Sequence, residues 1–173
     1  MFNSAKLKFD DIFENRLSQE EVREYLLELY ERGETAAEIA GAASAMRDHL
    51  IPLPIHEDLK AKAIDVVGTG GDKSYSFNIS STVSILLAAC GCYVAKHGNR
   101  SVTSKSGSAD MLEALGINLS LSLEATAKML EDTGFGFMFA ANHHPAMKYI
   151  TPDSKTIPHR TIMNILGPLC NPA

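Results

Sequence analysis

A glycine-rich corner between a short apolar run and an apolar helix is the feature that most restricts how this chain can fold. The corner covers residues 65–72, Asp-Val-Val-Gly-Thr-Gly-Gly-Asp, and a helix is predicted over residues 80–89. Glycine permits backbone conformations that are closed to other residues, so such a loop can bring its N–H groups close to a ligand. A helix start adds unpaired N–H groups and partial positive charge. The pattern predicts a phosphate-binding corner, or a glycine turn that binds nothing.

From residue 64 onward, predicted strands and helices alternate, which is typical of a parallel α/β sheet. Strands are predicted at residues 64–67, 92–96 and 135–140, and helices at residues 80–89, 109–115 and 123–132. Ligands of such sheets bind at the carboxyl ends of the strands. Three strands make a thin sheet with exposed edges, so we expect an incomplete chain.

Both ends of the chain have helical patterns. Two capping boxes, Ser18 with Glu21 and Thr35 with Glu38, begin amphipathic helices in the N-terminal region. Small residues at 41–45 predict close helix packing, either inside a bundle or at a dimer interface. Helices are predicted again at residues 145–150 and 161–166, the second ended by a Gly-Pro pair. The predicted fold class is α/β: a helical domain (1–63), the first strands of a mostly parallel α/β domain (64–142), and helices that return to the helical domain (143–173).

Composition excludes several classes of protein. The chain has 173 residues, of which 45% are hydrophobic, so it can bury a core. A net charge of -5 argues against a general nucleic-acid binder. Three cysteines, an odd number, predict free thiols in a reducing compartment. The N-terminus lacks the apolar core of a signal peptide and no apolar stretch is long enough to span a bilayer, so we expect a cytoplasmic protein that contacts no membrane.

Polar clusters follow the predicted strands. Asn78, Ser80 and Ser81 are more than a helix cap requires, and a serine hydroxyl can also bind Mg²⁺. Residues 96–100, Lys-His-Gly-Asn-Arg, offer donors for an anionic ligand, although surface charges have the same composition.

Two further clusters follow later in the chain. Residues 104–110 are either a flexible loop with Ser108 as N-cap or a second phosphate-binding helix start. Residues 142–148 include the adjacent His143 and His144. Because neighbouring side chains point in different directions, we interpret this segment as a pocket wall for a planar substrate and not as a zinc site.

Six motifs together resemble anthranilate phosphoribosyltransferases in order and spacing, over essentially the whole chain. They are Gly-Thr-Gly-Gly-Asp at 68–72, Asn-Ile-Ser-Ser at 78–81, Lys-His-Gly-Asn-Arg at 96–100, Ser-Gly-Ser-Ala-Asp-Met-Leu-Glu-Ala-Leu-Gly at 106–116, His-Pro-Ala-Met-Lys at 144–148 and Arg-Thr-Ile-Met-Asn-Ile-Leu-Gly-Pro-Leu at 160–169. The resemblance implies a helical domain joined to an α/β domain, with phosphoribosyl pyrophosphate (PRPP) held between them, and a homodimer formed through the helical domain.

The implied reaction transfers the phosphoribosyl group of PRPP to the amine of anthranilate, releases pyrophosphate and belongs to tryptophan biosynthesis. Positioning and electrostatics would drive it, with Mg²⁺ on the pyrophosphate and no catalytic acid or base. By resemblance, the PRPP-binding residues are Gly68, Thr69, Gly71, Asp72, Ser76, Asn78, Ser80, Ser81, Lys96 and Ser108, and Ser80 also binds Mg²⁺. The implied anthranilate-binding residues are Gly68, His97, Asn99 and His144.

The sequence departs from the family pattern in two ways. Ser154 stands where the family has an anthranilate-binding arginine, and the neighbouring Lys155 cannot reproduce the arginine fork. Family members are also longer, and an Asp-Glu pair that binds Mg²⁺ belongs to the part this sequence lacks. We therefore expect little transferase activity from these residues alone. A fold paralogue that binds nucleic acid and a nucleoside phosphorylase of related fold are the alternative functions.

Overall fold

The computed structural model describes residues 1–69, 77–101, 106–150, 157 and 160–173. Its α-helices are α1 (Phe2–Phe13), α2 (Gln19–Arg32), α3 (Ala36–Asp48), α4 (Glu57–Lys60), α5 (Ile79–Ala89), α6 (Ser108–Ala114), α7 (Leu123–Thr133), α8 (Ala140–His143) and α9 (Ile162–Leu169). A 3₁₀ helix spans Pro145–Tyr149, and the strands are β1 (Val94–Gly98) and β2 (Phe135–Phe139). Helices combined with a parallel sheet confirm the predicted fold class.

The chain divides into two compact units. The first comprises Met1–Ile51 and His144–Cys170, and the second comprises Pro52–His143 and Asn171–Ala173. Residues 52–63 thus belong to the second unit, whereas the sequence placed the boundary after residue 63; the backbone N–H of Leu53 donates to the carbonyl oxygen of Pro172 within that unit. The limits of the functional domains stay predictions.

The first unit is a helical bundle whose core includes Phe9, Leu26 and Ile162. Both predicted capping boxes are confirmed: the hydroxyls of Ser18 and Thr35 accept from the backbone N–H three residues on, and the glutamate there bonds back to the cap. Each box satisfies helix-end N–H groups that would otherwise lack a partner.

Helices α1 and α3 pack closely because α3 presents small residues. A Cβ added at Gly41 would lie 2.5 Å from the carbonyl oxygen of Phe2, and Ala42 and Ala45 are fully buried. The small residues therefore serve packing inside the bundle. The expected helix stop at Gly167-Pro168 is wrong, since α9 includes Pro168 and ends at Leu169. Packing of the buried Leu166 against this unit's core outweighs the cost of a proline in the last turn.

The second unit is built on β1 and β2, which pair in parallel with Val94 opposite Phe135 and Lys96 opposite Phe137. β1 begins and ends two residues later than predicted, and β2 ends one residue earlier than predicted. The predicted buried strand at residues 64–67 is wrong: in the described residues it is reduced to one parallel bridge between Ile64 and Val94, and Ile64 is 40% exposed.

Apolar residues cover both faces of the sheet, as a parallel sheet requires. One face packs Val94, Phe135 and Phe137 with residues of α6, including Leu112. The other face packs Ala95 and Met138 with residues of α7 and with Leu53. Helices α5, α6 and α7 lie within one residue of the limits predicted from sequence. No helix in the described ranges has the length and apolar composition needed to span a bilayer.

Candidate functional site

Lys96, the middle residue of β1, carries a buried ammonium group. Its side chain is only 1% exposed, and its Nζ donates to the carbonyl oxygen of Val66 at 2.7 Å. An ammonium group has three hydrogens, so it can keep this bond while donating to a ligand. Burial lowers the pKa of Lys96, and the nearby Asp65 carboxylate opposes that shift. The Lys96 side chain is therefore buried and held against Val66, at the start of the glycine corner.

The bond to Val66 also explains why residues 64–67 do not form a strand. Ile64 exchanges backbone bonds with the neighbouring chain segment, its N–H donating to Tyr93 and its carbonyl accepting from Ala95, both at 2.9 Å. Beyond it, the backbone N–H of His97 donates to the carboxylate of Asp65, and the carbonyl oxygen of Val66 accepts from the Nζ of Lys96, so neither backbone group makes a ladder bond. The backbone then leaves the sheet toward Gly68, where an added Cβ would meet no atom within 4 Å.

The start of α5 presents polar groups from the predicted first cluster. Asn78 is the N-cap residue of α5, but its side chain makes no capping bond; its Nδ2 donates to the Oγ of Ser106 at 3.2 Å and to the carbonyl oxygen of Gly107 at 3.1 Å. These bonds join the start of α5 to the loop before α6. The Oγ of Ser81 is buried and has no hydrogen-bond partner among the described residues, which is costly unless a ligand or water satisfies it.

The loop before α6 passes very close to the segment after β1. An added Cβ at Gly107 would lie 2.4 Å from the backbone nitrogen of Ser101, so glycine is required there by space. Gly107, and not Ser108, is the N-cap, while Ser108 is the first residue of α6. The Oδ2 of Asp110 accepts from the backbone N–H groups of Ser101 (3.0 Å) and Gly107 (2.8 Å), which lowers its pKa.

Arg100 is paired with two carboxylates of α6. Its guanidinium donates to both carboxylate oxygens of Glu113 at 2.8 and 2.9 Å and to Asp110 at 3.0 Å. These carboxylates raise its pKa further. Two acidic residues of α6 thus occupy three of the five N–H donors of Arg100, and its role as a donor for an anionic ligand stays a prediction.

The other predicted residues are divided between the two units. His97 is buried on β1, and Asn99 is exposed just after it, with its Oδ1 accepting from the backbone N–H of Arg100 at 2.8 Å. His144 is buried in the first unit, where it precedes the 3₁₀ helix. Thr69 is exposed at the end of a described range. The predicted positions Gly71, Asp72, Ser76 and Ser154 lie outside the described residues.

Sequence reasoning gave no role to Asp65 or Asn171. The Nδ2 of Asn171 donates to the Oδ2 of Asp65 at 2.8 Å and to the carbonyl oxygen of Ala95 at 2.9 Å. The other oxygen of Asp65 accepts from the backbone N–H of His97 at 3.2 Å. The only sequence signal was an aspartate inside an apolar run, because Asn171 is far away along the chain.

Possible metal ligands are few in the described residues. They contain no group of three or more His, Cys, Asp or Glu side chains that could hold a metal ion. Ser80 lies partly exposed in the first turn of α5 and has a hydroxyl oxygen, a donor that suits Mg²⁺. A single hydroxyl fits an ion whose other ligands are phosphate oxygens and water, but not an ion held by protein alone.

Comparison with known proteins agrees with this architecture. A family model described as the glycosyl transferase family, a/b domain, matches residues 60–173, and the helical bundle domain of the same family matches residues 4–50. The chain therefore belongs to this glycosyl transferase family.

Within that family, the relatives are anthranilate phosphoribosyltransferases, which confirms the resemblance. The enzyme of Novosphingobium aromaticivorans is 49% identical over 169 residues, 98% of this chain and 50% of the relative. The crystal structure of the enzyme from Thermus thermophilus has a TM-score of 0.93 and 40% identity, and covers 100% of this chain and 52% of that one. The Saccharomyces cerevisiae enzyme in complex with PRPP and Mg has a TM-score of 0.83 and 27% identity, with coverages of 99% and 50%. The chain thus spans about half the length of these relatives.

Proposed function

We propose that this chain provides the donor-binding half of an anthranilate phosphoribosyltransferase, which transfers the phosphoribosyl group of PRPP to anthranilate in tryptophan biosynthesis. The observation that carries the proposal is the burial of Lys96 and its hydrogen bond to Val66, where the chain enters the glycine corner. A fixed ammonium group in a poorly hydrated position stabilises the negative charge that develops on a leaving pyrophosphate.

Each part of the proposed site has a defined task. Lys96 and the first-turn N–H groups of α5 bind the pyrophosphate, together with Gly68, Thr69, Asn78 and Ser81. Ser108, at the start of α6, contacts the same donor. Positive charge develops on the ribose as its C–O bond to pyrophosphate breaks, so the site needs electrostatic stabilisation and positioning more than a strong base. Bound Mg²⁺, with Ser80 as one ligand, would neutralise part of the pyrophosphate charge.

The acceptor side of the proposal rests on His97, Asn99 and His144, with Gly68 at its edge. Gly71, Asp72 and Ser76 remain proposed donor contacts on the grounds of the resemblance. We expect weak turnover from the 173 residues, because Ser154 replaces the family's carboxylate-binding arginine and most of the Mg²⁺ ligands of longer family members are not in this sequence. Turnover comparable to that of a full-length family member would contradict this part of the proposal.

Calorimetric titration with Mg²⁺-PRPP tests the donor site. We expect saturable binding by the wild-type chain that is lost in Lys96→Gln. The matched control is Lys62→Gln, which removes an exposed lysine of the same unit and should keep the wild-type affinity. No binding by the wild-type chain, or equal binding by the two variants, contradicts the proposal. Salt-dependent DNA binding in place of PRPP binding would favour the nucleic-acid alternative.

The helical unit is proposed to form a homodimer. Phe2 and Leu7 on α1 are 42% and 65% exposed, and large apolar side chains at a surface favour association. Sedimentation should show a dimer that Leu7→Glu dissociates, while Leu115→Glu, at a similarly exposed leucine of the second unit, should leave it intact. A wild-type monomer contradicts this proposal. A cytoplasmic location likewise stays a prediction.

A further inference from the structure

Asn171 clamps the segment around Asp65 to β1. Its single Nδ2 donates to both Asp65 and the carbonyl oxygen of Ala95, and its Oδ1 accepts from the backbone N–H of Ala173 at 2.8 Å. The second oxygen of Asp65 is held by the backbone N–H of His97. Both carboxylate oxygens of Asp65 are therefore fixed, and its charge cannot rotate away from β1.

Asp65 is the counter-charge of Lys96. Neither α5 nor β2, which contact β1, contains a titratable side chain. The helices on the two faces of the sheet, α6 and α7, do carry charged side chains, namely Asp110, Glu113, Glu124, Lys128, Glu131 and Asp132, but none of them acts on the Lys96 ammonium. Among the described residues, the charged group that acts on the Lys96 ammonium is Asp65. Lys96 is also anchored to the carbonyl of Val66, the residue next to Asp65, so one short segment supplies both its charge partner and its hydrogen bond.

The protonation state of Lys96 depends on Asp65, and that of Asp65 depends on Asn171. Burial lowers the pKa of Lys96 and raises that of Asp65, so burial disfavours the charged form of each group. The bonds from Asn171 and from the His97 N–H favour the charged form of Asp65, and charged Asp65 favours the charged form of Lys96. Removing either Asp65 or Asn171 therefore disfavours the protonated form of Lys96 without removing any contact to a ligand.

We propose that Asp65 and Asn171 are positioning residues that keep Lys96 protonated and held against the carbonyl of Val66. This inference rests on the proposed function only in its consequence, which is that PRPP affinity depends on two residues outside the binding contacts. The state of Lys96 itself can be measured without any ligand.

Titration of Lys96 is followed by NMR of ¹³C-labelled lysine side chains, with the resonance assigned from its loss in Lys96→Gln. In Asp65→Asn we expect the midpoint to fall by about one pH unit, since an opposite charge is lost. In Asn171→Ala the fall should be smaller, since the carboxylate remains but is released. The matched control, Asn118→Ala, removes an exposed asparagine of the same unit and should shift nothing. If Asp65→Asn does not fold, as judged from the other lysine resonances, Asn171→Ala carries the test.

A second measurement separates positioning from general structural damage. The affinity for Mg²⁺-PRPP is measured from about pH 6 to about pH 10 as the ratio of variant to wild type, which removes the ionisation of the ligand itself. A lower midpoint for Lys96 predicts a ratio near one at low pH that falls about tenfold as pH rises. Structural damage instead lowers the ratio equally at every pH.

The outcomes are distinct. An unchanged Lys96 midpoint in the folded Asp65→Asn and Asn171→Ala chains, or a pH-independent affinity ratio, overturns the proposal. If the Lys96 midpoint falls in Asp65→Asn but not in Asn171→Ala, Asn171 is not a positioning residue. Midpoints that fall as expected in a chain that binds no PRPP support the positioning role and overturn the proposed function instead.

Discussion

The side-chain amide of Asn78 donates to the backbone carbonyl oxygen of Gly107 at 3.1 Å, so the first residue before α5 is tied to the residue before α6. Both helix starts were predicted to bind phosphate, and this bond sets their spacing. Such a link holds the two helix starts in place before a ligand arrives, which reduces the entropy lost on binding.

We predict that Asn78→Ala lowers the free energy of unfolding by about 1–2 kcal/mol, because two hydrogen bonds to the loop are lost. Asn78→Asp should cost at least as much, since a carboxylate cannot donate to a carbonyl oxygen. Urea denaturation measures both variants. Asn118→Ala, at an exposed asparagine, is the control, and an Asn78→Ala chain as stable as that control would contradict the role of the link.

Gly107→Ala should destabilise the second unit by about 1–3 kcal/mol, because the new methyl group would overlap backbone atoms that cannot move independently. The added Cβ would lie 2.8 Å from the carbonyl carbon of Arg100 and closer still to the nitrogen of Ser101. Gly68→Ala is the matched control, since its Cβ meets open space, and it should leave stability within experimental error. Equal stability of the two variants in urea denaturation would argue against the close crossing.

Glu38 predicts a pH-dependent contribution to stability. The Arg32 guanidinium, with Nη2–Oε1 at 2.5 Å, and the bonds from Thr35 lower the pKa of Glu38 to about 2. Because the folded pKa lies below the unfolded value of about 4.3, the stabilisation is complete above that value and is lost as pH falls toward 2.

The stability difference between wild type and Glu38→Gln should therefore be largest near neutral pH, at about 1–2 kcal/mol, and shrink as the pH falls below about 4. Urea denaturation at several pH values measures it. Glu24→Gln, at an exposed position of α2, should show a small difference at every pH. A Glu38→Gln difference that stays constant with pH would mean that the ion pair and capping bonds do not act through the charge of Glu38.

Cysteine reactivity should differ sharply along the chain. Cys170 is fully buried with its Sγ 3.7 Å from the carbonyl oxygen of Ala43, and burial raises its pKa to about 11. Cys90 is exposed. With Ellman's reagent near neutral pH, a chain retaining only Cys170 should react at the rate of unfolding, whereas a chain retaining only Cys90 should react at once. Rapid reaction of Cys170 in folded protein would contradict its burial.

Local patterns predicted the helices well because their signals lie within a few residues. Ser18 and Glu21, or Thr35 and Glu38, are close enough for sequence spacing to define the bond. The strand predicted at residues 64–67 was wrong for the opposite reason. There, one carboxylate oxygen of Asp65 accepts a hydrogen bond from Asn171, which is 106 residues away, and no local pattern indicates such a partner.

The same difference between local and long-range contacts applies to the candidate site. The type and position of Lys96 were readable from sequence, but its burial and its counter-charge were not, since both depend on how distant segments meet. The pairing of Arg100 was not readable either, because a lone arginine after a strand gives no sign that Glu113, 13 residues later, will accept from its guanidinium. The sequence thus indicates which groups gather at the sheet edge, and the structure decides which of them another side chain has already engaged.

The first unit is assembled from two stretches separated by the whole of residues 52–143, and this has a consequence for how the chain folds during synthesis. Its bonds from Arg47 to the carbonyl of Leu169 and from Cys170 to Ala43 join residues 122 and 127 positions apart. Contacts of such high sequence separation form slowly. During synthesis, part of the apolar surface of α1 to α3 stays exposed until α9 has left the ribosome. We expect chaperones to bind these helices in that period.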